Sequence, residues 1–152
     1  MRCLVGSLQD LENEGHKKLY AYWDEKRGER KAPTRKDIDP IELRDLLPHM
    51  FMFDVMRNPI DFKMRLHGTH LVDVMGRDNT GDYFSKMYRG TEADELWDIY
   101  CEVANDFSVI YSKQSASWMS KDFVHYERLL LPLSEDGNEV NILLGLSYFI
   151  AA

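Results

Sequence analysis

Apolar residues recur along the first thirty positions at Leu8, Leu11, Gly15, Leu19 and Tyr22, spacings of three and four that place one stripe on a helix. Ser7 with Asp10 three residues later supplies an acidic capping box, and Gly28 a stop. The segment ERKAPTRKD has no period and reads as a connector. A short second helix is predicted after it. Asp39 takes the cap, Pro40 the first turn and Glu42 the capping-box position, with Leu43, Leu46 and Leu47 buried and Pro48 ending it.

The period then changes to two. In HMFMFDVM, Phe51, Phe53 and Val55 alternate with Met52, Asp54 and Met56; in FKMRLHG, Phe62, Met64 and Leu66 alternate with Lys63, Arg65 and His67. With RNPID between them, these predict an antiparallel hairpin whose second strand has one wet face. From Thr69 the helical period returns: Leu71, Val72 and Met75 form the apolar side, Gly76 terminates, and GRDNTGDYF has turn composition. A longer helix is predicted from about Thr91, with Leu96, Tyr100, Val103 and Phe107 down one face. Three strands complete the chain: QSASWMS, FVHYERLLLPLS and VNILLGLSYFI, the last two joined across Asp136–Gly137. On the last strand one face carries Val140, Ile142, Leu144, Leu146, Tyr148 and Ile150, the other Leu143, Gly145, Ser147 and Phe149. A strand this apolar on both faces is covered on both sides, hence central.

Composition narrows the class. A chain of 152 residues with 44% hydrophobic and 30% charged positions is one ordinary globular unit. A net charge of −7 disfavours nucleic acid and anionic membrane as partners, and the basic run Lys26 to Lys36 reads as a solvated linker. Cys3 and Cys101 form neither a disulfide framework nor a zinc motif, and the start MRCLVGSLQD lacks a signal-peptide core, so the expected location is the cytoplasm.

Reactive constellations are sparse. His67, His70 and Asp73 fall on a strand end and the following turn, so they do not converge as metal ligands, and no metal site is expected. The glycines of RLHGTHLVDVMGRDNTGDYF follow neither phosphate-loop nor dinucleotide spacing; they act as a hinge that lets the chain leave the second strand. No serine sits in a nucleophile elbow, Cys101 reads as a small core residue, and no catalytic residue is assigned. A small α+β enzyme would need a carboxylate–histidine pair, such as His125 with Glu127 or Asp54.

The stretches DIDPIELRDLLP, FKMRLHGTHLVDVMGRDNTGDYF and YERLLLPLSEDG, together with YAYWDEKRGERKAPTRKDIDP, resemble the signatures of a bacterial family of stand-alone PAS-like proteins, from about Tyr20 to the C-terminus. The resemblance implies an α+β fold: a five-stranded antiparallel sheet of order 2-1-5-4-3, helices on one face enclosing a small cavity, and an N-terminal helical extension. The implied organisation is an extension and linker over 1–48 and a PAS-like domain over 49–152, one compact unit. The N-terminal helix either pairs with a second copy, giving a homodimer, or packs on its own sheet. Flavin-linking members carry a cysteine where this chain reads GRDNTG, and haem-binding members a histidine on the long helix; both are missing here, so no cofactor is expected. The cavity would be bordered by Tyr83, Trp97, Tyr100, Trp118 and Tyr126, with Arg128 and the space at Gly145 and Ser147 favouring an anionic or polar ligand. The expected function is sensory or regulatory, through a small molecule, a protein partner or both; the alternative is an adaptor whose core is filled.

Overall fold

The computed structural model describes residues 1–87, 91–115 and 123–151. In chain order the elements are β1 (Arg2–Leu4), α1 (Glu14–Arg27), β2 (Met50–Met56), β3 (Asp61–His67), α2 (Thr69–Met75), α3 (Phe84–Met87), α4 (Thr91–Asp106), β4 (Ile110–Ser115), β5 (Phe123–Leu133) and β6 (Ile142–Ala151). All pairings are antiparallel, in the order β1-β4-β5-β6-β2-β3. The strands β2 to β6 thus take the implied order. The last strand lies between β5 and β2, where its two apolar faces demanded cover. β1 adds a sixth strand at the β4 edge; three residues are too few to show a period.

Alternation along β6 divides the core in two. Leu143 faces the layer containing Leu96, Ile99, Tyr100 and Val103 of α4, along with Phe53, Phe62 and Phe84. Ile142, Leu144 and Leu146 face Leu19, Tyr20 and Trp23 of α1, plus Leu43 and Leu46. The N-terminal helix therefore packs on its own sheet, on the face opposite α4. Trp23 anchors it by donating from Nε1 to the Pro132 carbonyl at 2.8 Å.

α1 begins later than its apolar spacing predicts. Asn13 is its cap, with Oδ1 accepting from Gly15 N at 2.8 Å and His16 N at 3.3 Å. Asp10 accepts from the Gly6 and Ser7 amides and closes only a 3-10 turn over Leu8–Asp10. The buried face is His16, Leu19, Tyr20 and Trp23, while Leu8 is exposed. The predicted second helix is a run of turns with bonds from Glu42 N to Asp39 O and Leu43 N to Pro40 O, ending in a 3-10 turn over Leu47–His49. Two prolines bracket too few residues for an α-helical ladder. Its leucines are buried as expected, Leu43 and Leu46 fully.

QSASWMS marks its strand too late. β4 starts at Ile110, and residues 116–122 lie outside the described residues. The other correction concerns β3. Phe51 pairs with His67 and Met52 with Leu66, but Phe53 pairs with Met64, so Arg65 is an extra residue in the ladder. Such a bulge reverses the facing of everything beyond it. Leu66 consequently joins the α1 layer, and His67 turns to the α4 face.

Candidate ligand cavity

The cavity is built where the α4 face of the sheet becomes polar. On β5 the residues Tyr126, Arg128 and Leu130 alternate toward α4; Arg128 pairs with Ser112 on β4 and Ser147 on β6. One rung across three central strands thus carries serine, arginine and serine, all buried. The Arg128 guanidinium lies 4.6 Å from the Tyr126 ring centroid, 5.6 Å from Phe51 and 5.9 Å from Tyr100. Aromatic faces stabilise a desolvated guanidinium by about 2 kcal/mol or more, less than the cost of burying the charge, and hydrogen bonds must supply the rest. Arg128 Nη1 donates to Gln114 Oε1 at 3.1 Å. That bond fixes the amide orientation and leaves Gln114 Nε2 buried with no hydrogen-bond partner among the described residues. The Ser147 hydroxyl is in the same condition.

Against this rung lies a space of about 30 Å³. Arg128, Ser147 and Tyr100 form its polar wall, and Phe51, Phe53, Met64 and Phe149 its floor. Leu71 and Met75 of α2 and His67 of β3 close the remaining side. His67 Nδ1 accepts from the Asn79 backbone N–H at 3.2 Å, which leaves the ring proton on Nε2. Burial holds the His67 pKa below its ordinary value, and Asp78 at 3.8 Å pulls the other way. The hinge reading of the glycine-bearing stretch from Arg65 to Phe84 stands on one position above all. A Cβ on Gly68 would lie 2.6 Å from the Leu47 carbonyl oxygen and 2.7 Å from that of Met50, and nearer still to that of Pro48. Only glycine lets β3 cross that backbone and place α2 over the sheet.

Of the expected site residues, Tyr100, Arg128 and Ser147 meet in the wall, with Tyr126 behind the guanidinium. Trp97 packs instead on Phe62 and Phe84, each at 5.3 Å. Tyr83 lies in a separate groove with Met75, Arg77 and Lys86, and its ring sits 5.8 Å from Lys63 Nζ. Trp118 lies outside the described residues. The space expected over Gly145 is occupied by the Phe51 ring, which a Cβ there would penetrate. His67, Leu71 and Met75 escaped the sequence reading. The bulge conceals the first, and the other two read only as core.

The two carboxylates proposed for an enzyme are otherwise engaged. Glu127 accepts from the Tyr111 hydroxyl at 2.9 Å on the α1 face, and Asp54 binds Arg65 at 3.0 Å. Burial, followed by that Glu127 bond, pushes the Tyr111 pKa far above the ordinary phenol value. Burial also raises the Cys101 thiol. Among the described residues no group of three or more metal-ligating side chains converges.

A family model described as PAS domain matches residues 11–148. The chain belongs to the PAS domain family. The match takes in α1 as well as β2 to β5 and most of β6, so this PAS domain carries its N-terminal helix within the matched region. Among solved structures it is similar to one described as "Structure of an RNA-binding Light-Oxygen-Voltage Receptor", at 13% identity and TM-score 0.46, over 77% of this chain and 35% of that one. The PAS domain thus spans about a third of the length of that protein. No curated protein matches the chain. No helix among the described residues is long and apolar enough to cross a membrane.

Proposed function

We propose that this PAS domain is a sensory module of bacterial signal transduction that holds a small anion, carboxylate in type, and passes its occupancy to a protein partner in the cytoplasm. Membership of the PAS family supports a sensory or regulatory role. The observation that carries the ligand class is the buried hydroxyl of Ser147, unpartnered among the described residues, on the cavity wall beside a buried arginine. Leaving a buried polar group without a partner costs about 1–3 kcal/mol, and a carboxylate at the Arg128 rung would accept from the Ser147 hydroxyl. A space of about 30 Å³ suits one water. A carboxylate is admitted when Leu71 and the flexible Met75 swing outward with α2.

Output runs through β6. Ser147 faces the cavity, while the adjoining Leu146 carbonyl and Tyr148 ring touch His16 of α1 on the other face. Ligand that repositions Ser147 therefore biases the packing of α1, a shift between two populations of the domain. The small cavity volume favours a second reading, an interaction adaptor with a filled core.

Thermal unfolding with formate, acetate, pyruvate and succinate separates the two. One of these anions is expected to raise the melting temperature in a concentration-dependent way, by about 2.7 kcal/mol of stability at a hundredfold excess over Kd. Ser147→Ala is expected to fold normally and lose most of the effect. Equal melting temperatures across the series leave the adaptor reading.

A further inference from the structure

A second polar cluster lies on the opposite face of β6. His16 of α1 is fully buried against the sheet, with its ring edge-on to Tyr148 at 5.2 Å and Tyr111 at 5.8 Å. Its Nε2 lies 3.0 Å from the Leu146 carbonyl oxygen, an acceptor, so this nitrogen carries the proton. Nδ1 of the neutral ring is then a bare lone pair, buried with no hydrogen-bond partner among the described residues. His49 repeats the arrangement across the same tyrosine. Its ring lies 4.7 Å from Tyr148 and 4.5 Å from His70, and its Nδ1 is likewise buried and unpartnered.

We propose that α1 is a proton-controlled latch: a proton taken up at Nδ1 of His16 releases the helix from the sheet. The neutral ring is the form that fits. Protonation would place an N–H and a full charge among tyrosine rings, with no acceptor opposite. The neighbouring groups do not supply one. On β5 the Glu127 carboxylate already accepts from Tyr111 of β4, and on β6 Tyr148 presents its ring. Cys3 of β1 and Glu12 lie near Tyr111, Asp45 lies near Tyr148 and is bound by Lys18 of α1, and His70 stands beyond His49. Burial, the largest influence, holds His16 below its ordinary pKa; the Leu146 bond and Glu127 oppose it. Burial and His70 hold His49 down similarly.

The sign follows from linkage. A released α1 exposes His16, which then titrates near 6.5, so the released state binds the proton more readily than the docked one. Docking is complete above about pH 6.5 and is lost as the pH falls toward the docked value, by up to about tenfold per unit. This latch needs no ligand in the cavity, because the proton is taken up at His16 itself.

Hydrogen exchange of the whole chain tests it. Between about pH 6.5 and 5.5, after correction for intrinsic rates, protection of residues 14–27 is expected to fall several-fold toward that tenfold limit, while β5 keeps its own. His16→Gln retains a donor for Leu146 but takes no charge, and the fall is expected to shrink to the small part owed to His49. Should that variant fail to fold, the ring resonances of His16 in the natural protein decide. Their midpoint is expected below 6.5 and to coincide with the loss of α1 protection. Protection that stays flat on acidification, an undiminished fall in the glutamine variant, or a His16 that titrates at its ordinary value with α1 still protected would each overturn the latch.

Discussion

Two glycines show how differently single residues constrain this fold. At Gly145 an added Cβ meets the Phe51 ring, a side chain that can rotate away. At Gly68 it meets the carbonyl oxygens of Leu47, Pro48 and Met50, backbone that cannot yield without moving β2. Gly145→Ala is expected to cost about 1–3 kcal/mol, the range for overpacking, and Gly68→Ala more. Urea denaturation of both variants checks the order; a smaller loss at Gly68 would contradict the crossing described here. The sequence placed Gly68 among the glycines of a hinge where the chain leaves the second strand. It could not mark His67 as a cavity residue, because the extra residue at Arg65 leaves no trace in a pattern read with period two.

Elements were legible where period and length agreed. α4 and β6 have long, regular patterns and form as expected, and the apolar sides of β6 sort into the two layers its alternation assigns, except that Val140 precedes the strand and joins the α4 layer. α1 was legible as a helix but not in its start. Asn13 bonds two amides of the first turn, whereas the Ser7–Asp10 pair closes a separate 3-10 turn. Asn13→Ala is therefore expected to cost about 1 kcal/mol and to lower exchange protection in α1, while Ser7→Ala leaves α1 unchanged. Equal losses from the two would restore the earlier helix start. The turns over 39–49 were misread for a physical reason: capping residues and prolines also define consecutive tight turns, and only length separates these from a helix.

For the whole molecule, the strand order was what the resemblance to PAS-like proteins implied; the hydrophobic pattern by itself supplied one part of it, that a strand apolar on both faces lies mid-sheet. Which face α1 covers was open, since an apolar stripe fits a sheet or a second copy equally. The cavity was legible in parts. Arg128, Tyr100 and Ser147 were each singled out, but only the register of β4, β5 and β6 brings the serine–arginine–serine rung together. That same β6 segment, Leu146 to Tyr148, contacts the cavity on one side and the α1 histidine on the other. Hydrogen exchange at about pH 7.5, where His16 is neutral, tests that link most directly, with and without whichever of the four anions most raises the melting temperature. The expected result is a change in protection of residues 14–27 that is absent in Ser147→Ala. An anion that stabilises the domain while α1 protection stays constant would contradict it.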